Sequence, residues 1–121
     1  MVDKKIIVQA IIEKVESDYD DVEILTDILE GYDHPGQIII KGEKKIGYVP
    51  DVVLKKKKTT DLYEVELGRK DDYELDKWKL FSLYSHKQHG NFNIVIPEDN
   101  LTHLRKILKE NQISAKILYF S

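Results

Sequence analysis

The chain has 121 residues, the size of one domain, with 19 basic residues against 22 acidic ones and a net charge of −3. It has no cysteine, so disulfides and thiolate metal sites are excluded, which fits a reducing, cytoplasmic setting. The charges spread through residues 1–15 argue against a signal peptide, no apolar run nears the roughly 20 residues that span a bilayer, and the small negative charge gives no global pull on nucleic acid.

Residues 4–17, KKIIVQAIIEKVES, predict a helix with Ile6, Ile7, Ala10, Ile11 and Val15 on one stripe. Residues 20–31, DDVEILTDILEG, predict a second helix, although a strand also fits. Asp20 or Asp21 would cap its start, Val22, Leu25, Ile28 and Leu29 would line its face, and Gly31 would end it. The turn YDHPGQ follows, then a short strand over QIIIKG, a link over EKK and a second strand over IGYVPDVVLK. Pro50 cannot donate a ladder hydrogen bond, so it marks an edge, a bulge or an end of that strand.

The run Lys55 to Lys58 forms the tip of a hairpin leading into a third strand, LYEVELG, closed by Gly68. A long helix covers about 72–85, with Tyr73, Trp78, Phe81, Leu83 and Tyr84 spread too widely for one narrow stripe. NFNIVIP is a fourth strand whose nearly continuous apolar run predicts burial on both faces. PEDNLTHLRKILKENQ is a helix with Leu101, Leu104, Ile107 and Leu108 on its face, and SAKILYF is a final strand. The expected fold is one α/β (mixed α+β) domain, a central mixed sheet flanked by helices.

The third strand raises a chemical question. Side chains in a strand alternate faces, so Glu64 and Glu66 point the same way. If the second and third strands pair around the lysine tip, Asp51 comes beside Glu64. Carboxylates that close raise each other's pKa unless a cation neutralises them. Hard oxygen ligands of this kind suit Mg²⁺, which takes one or two carboxylates plus waters and substrate phosphates. Against this stands a plainer reading, in which both acids lie on a solvated sheet face beside lysines.

The segments VPDVVL and YEVEL, set in a helix–strand–strand–strand–helix–strand order, resemble the PD-(D/E)xK nuclease superfamily. The resemblance implies a restriction-endonuclease-like αβββαβ core, here with an added helix and strand at its C-terminal end. It implies a Mg²⁺- or Mn²⁺-dependent DNA endonuclease, with Asp51, Glu64 and Glu66 at the metal and catalytic site. Glu66 stands where the family pattern has lysine, so the basic group would come from Lys70 or Lys77. Glu13, on the first helix, would be a further metal ligand. YEVELGRK also resembles segments of mobile-element and plasmid-associated members. Lys55, Lys56, Lys57, Lys58, Lys79 and Lys87 would then touch DNA phosphates, an affinity that is salt-dependent and largely blind to sequence. A homodimer would bring the second active site needed to cut both strands. The alternative is a catalytically silent module of the same fold that binds a protein or nucleic-acid partner.

Other chemistry finds less support. His86 and His89 leave the long helix with no further metal ligand nearby in sequence, and a solvated loop or a phosphate contact beside Lys87 suits that stretch better. His34 reads as a turn residue and His103 as part of an exposed helix face. No glycine elbow frames a nucleophilic serine, and no glycine-rich phosphate loop is present. The acids Asp18 to Asp21 lack the glycine and terminal Glu of a calcium loop. Trp78 reads as core.

Overall fold

Asp3 starts the first helix, where its side chain accepts the Lys5 N–H at 3.0 Å. This helix, α1 (Lys4–Asp18), buries Val8, Ile12 and Val15 and half-buries Ile7 and Ile11. Ile6 remains 61% exposed, so the buried stripe is turned by about one position from the expected one. The helix is apolar around much of its girth, and the sheet beneath it decides which side is covered. The structure is a computed structural model and describes residues 3–40, 46–68 and 73–121.

The expected second helix is replaced by β1 (Glu23–Leu25) and a turn. Two contacts explain the change. Glu23, Ile24 and Leu25 pair antiparallel with Lys55, Leu54 and Val53. The buried Thr26 hydroxyl donates to the Asp51 carbonyl at 2.6 Å and accepts the Ile28 N–H at 3.1 Å, which diverts the chain from a helical path. Gly31 and Gly36 then take positive φ, +92° and +80°, in the bends that follow.

β2 (Ile38–Ile40) and β3 (Ile46–Tyr48) form a small antiparallel sheet of their own. The expected continuous strand over 46–55 is therefore split, and β4 (Val52–Lys55) belongs to the main sheet. Pro50, fully buried between them, is where the ladder stops. β4 pairs antiparallel with β5 (Thr60–Val65) through Val52↔Tyr63, Val53↔Leu62, Leu54↔Asp61 and Lys55↔Thr60. The lysine run turns the corner, with the Lys56 N–H donating to the Thr59 carbonyl.

After β5 come α2 (Leu75–Lys87), β6 (Phe92–Pro97), a 3₁₀ turn (Glu98–Asn100), α3 (Leu101–Glu110) and β7 (Lys116–Phe120). β6 runs parallel to β5, and β7 parallel to β6. The main sheet has the order β1-β4-β5-β6-β7, so it is mixed, with β4 antiparallel to both its neighbours. Helices cover both faces. Val52, Val65 and Val95 pack under Val8 and Ile12 of α1. Leu25, Val53, Leu62, Phe92, Ile94 and Ile96 pack under Trp78, Phe81, Leu104 and Leu108 of α2 and α3. That is why β6 reads as an unbroken apolar run. Trp78 is wholly buried against Tyr73, ring centroids 4.9 Å apart, as a core residue. None of the described helices is long and apolar enough to cross a membrane.

Candidate functional site

The register of β4 and β5 builds the site. Val52 faces Tyr63, so the next pair outward is Asp51 and Glu64. There the strand ladder ends and the two side chains take its place. The Asp51 N–H donates to Glu64 Oε1 at 2.8 Å, and the Val65 N–H donates to Asp51 Oδ2 at 2.8 Å. Each acid thus satisfies a backbone donor on the opposite strand.

Ammonium groups face the other oxygen of Glu64 and both oxygens of Asp51. Lys77, reaching down from α2, sets Nζ 3.0 Å from Glu64 Oε2. Lys4, in the first turn of α1, sets Nζ 3.2 Å from Asp51 Oδ2 and 3.3 Å from Oδ1. Two carboxylates and two lysines, drawn from four elements, therefore meet at one end of the β4–β5 hairpin. Sequence reasoning finds Asp51, Glu64 and Lys77 but misses Lys4. No local signal links residues 47 apart in the chain.

Glu64 is only 4% exposed. Burial, followed by the charge of Asp51, pushes its carboxyl up from the usual 4.5 to about 7, against the pull of Lys77 and the Asp51 N–H. Burial acts to lower the Lys77 pKa, but the charges of Glu64, Glu74 and Asp51 outweigh it and hold the ammonium above its ordinary value. Lys77 therefore stays charged at neutral pH while Glu64 titrates there.

Other expected site residues lie elsewhere. Glu66 follows the last residue of β5 and its N–H continues the ladder to the Val95 carbonyl at 2.9 Å, while its Oε1 accepts the Gly68 N–H at 2.8 Å. Its charge, after the effect of burial, helps raise the Tyr73 phenol. Glu13 is exposed on α1, beside Gln9 at 3.4 Å. Neither joins Asp51 and Glu64, and among the described residues no three His, Cys, Asp or Glu side chains gather as metal ligands. Lys70 lies outside the described residues.

The lysine tip is at the far end of the hairpin, roughly 13 Å from Asp51 at the ordinary strand rise. Lys55, Lys57 and Lys58 are exposed there. Lys56 is held by Asp61 at 2.8 Å and over the Tyr19 ring at 4.4 Å. Lys87 ends α2, ten residues beyond Lys77 and roughly 15 Å along the helix. Lys79, also exposed, lines a cleft of about 520 Å³ with His86 and Lys116, which excludes the acid pair.

Two buried carboxylates suit the part of a Mg²⁺ shell that protein supplies, with waters and phosphate oxygens for the rest. Glu64 Oε1 and Oε2 each face one donor and keep a lone pair to give, whereas Asp51 Oδ2 faces both the Val65 N–H and Lys4, so a metal there would displace Lys4. The donor set fits a two-carboxylate Mg²⁺ site and falls short of an all-protein cage. The chain matches no family model, no curated protein and no solved structure in comparisons with each.

Proposed function

We propose that this chain is a PD-(D/E)xK-like nuclease domain that hydrolyses DNA phosphodiesters with Mg²⁺ or Mn²⁺. The observation that carries the reading is the meeting of Asp51, after Pro50, with Glu64 on the adjoining strand, and of Glu64 with Lys77 at 3.0 Å. Two acids from adjoining strands and one lysine are the groups the motif requires. The lysine comes from α2 instead of from two residues beyond the second acid.

In this reading Asp51 and Glu64 hold the metal, and Glu66 and Glu13 drop out as ligands. When bound, the ion acidifies a water and stabilises charge building on the phosphate. Lys77 holds its proton at Nζ, keeps Glu64 Oε2 in place and offers positive charge to a phosphate oxygen. Lys57, Lys58, Lys79 and Lys87, all exposed, contact the backbone further along the DNA.

A second reading, a silent binding module of the same fold, draws on a specific feature: Lys4 and Lys77 already neutralise both acids. One assay separates them. Supercoiled and single-stranded DNA are incubated with Mg²⁺, with Mn²⁺ and with chelator, for wild type, Asp51→Asn and Lys77→Met. Metal-dependent cutting by wild type that both variants lose is the expected result. Retention of DNA without cutting, under any metal, favours the silent module. Cutting that survives Asp51→Asn refutes the site.

A further inference from the structure

The two edges of the main sheet are built differently. β1 has three residues, opens on the exposed Glu23, and is followed at once by the Thr26 N–H donating to the Asp33 carbonyl. Shortness, charge and a covering chain keep an edge from pairing with strangers. β7 has five residues in regular register with β6, no proline, and one charge, Lys116, at its start. Among the described residues nothing pairs with its outer side. Leu118 is 43% and Tyr119 54% exposed. Beside them an apolar groove of about 240 Å³ runs between β7 and α1, walled by Ile7, Ala10, Ile11, Leu118 and Phe120.

We propose that a second copy of this chain covers this edge, β7 pairing antiparallel with β7 about a two-fold axis normal to the sheet. Such an axis preserves the faces of the sheet, so a residue can oppose only one of its own parity. Centring the axis on Leu118 pairs the whole strand. Leu118 then meets the partner's Leu118, Ile117 meets the partner's Tyr119, and Lys116 meets the partner's Phe120. Along the paired strands no like charges face each other and the strand's one ammonium lies by an aromatic ring, while Lys14, which also lines the groove, is held by Asp18 at 3.2 Å. Each α1 lies on the same face, so the two apolar grooves adjoin across the Leu118 pair. The pairing leaves Ile117, Leu118 and Tyr119, the apolar middle of the strand, facing one another across the axis, with its one charge at the ends. The inference is independent of any nuclease activity.

Sedimentation velocity on the full chain over a concentration series is expected to give twice the mass of one chain. Leu118→Lys and Leu118→Glu each oppose like charges at the axis, so each is expected to run as a monomer. Mixed one to one they are expected to return to dimer mass, because Lys now faces Glu. Circular dichroism confirms that both variants are folded, as expected for a half-exposed position. A wild-type monomer at every concentration overturns the proposal and leaves the edge to a different protein. Dimers indifferent to both substitutions, or folded variants that stay monomeric when mixed, overturn it too.

Discussion

Replacing Glu64 by glutamine removes a charge and keeps an acceptor. The amide oxygen can still take the Asp51 N–H that Oε1 takes at 2.8 Å. What changes is proton linkage. The Glu64 carboxyl sits at about 7 in the fold against 4.5 in the open chain. Between those values the folded protein holds a proton that the unfolded chain has already released. Stability therefore falls as pH rises through that window, being fully present below about 4.5 and lost above about 7. At about 1.4 kcal/mol per pH unit the loss is about 3 kcal/mol. The side chain is buried, so solvent screens little of it.

Glutamine cannot ionise, so Glu64→Gln lacks this slope. Urea denaturation in chelator, at steps from about pH 5 to about pH 8, is expected to show wild type and variant nearly matched at the acid end. At the alkaline end the variant is expected to be more stable by about 3 kcal/mol. Taking the difference between the two proteins cancels the other titrating groups. A difference that stays constant with pH, or a wild type that gains on the variant as pH rises, refutes a carboxyl held protonated by burial and by Asp51.

Mg²⁺ is expected to stabilise wild type by about 2.7 kcal/mol at a hundredfold excess over Kd, read as a higher melting temperature, and to leave that of Asp51→Asn unmoved. Calorimetry at two pH values checks it, with the larger rise above pH 7, where no proton competes for Glu64. Gly90→Ala would press a methyl group against the Thr60 carbonyl oxygen and within 2.7 Å of Asp61 Oδ1; a loss of about 2 kcal/mol or more in urea denaturation is expected. α3 ends in a Schellman turn, with the Ile113 N–H on the Leu108 carbonyl and Gln112 at φ +54°. Gln112→Gly relieves that left-handed strain and is expected to add about 0.5–1 kcal/mol, read from the same denaturation curves.

Much of the fold was legible where one signal dominated. β6 announced itself as an apolar run, α3 by the spacing of Leu101, Leu104, Ile107 and Leu108, and β7 as the short apolar segment that follows it. Residues 20–31 were not, because Val22, Leu25, Ile28 and Leu29 fit a helical stripe while β1 is decided by β4, some thirty residues on. Pro50 gave three options, and the structure selects a strand end. The acid pair was legible because a hairpin around Lys55 to Lys58 fixes the register of Asp51 against Glu64. Glu66 keeps the ladder bond to Val95, but its carboxylate is engaged by the Gly68 N–H, a local turn contact that strand alternation does not reveal. Lys4 was out of reach, since its place depends on how α1 lies across the sheet.

The acid pair has a structural task, and that task does not require charge. Each carboxylate replaces a missing ladder partner, Glu64 for the Asp51 N–H and Asp51 for the Val65 N–H. Asparagine and glutamine would accept the same bonds while remaining neutral. Instead the site buries two acids, and that burial, followed by the charge of Asp51, pushes Glu64 above its usual range. Two lysines are then needed to offset them, although a buried ion pair is often no more stabilising than neutral groups of the same shape. Hydrogen bonding accounts for the oxygens. It does not account for the charges, and these are what a divalent cation and a phosphate would use.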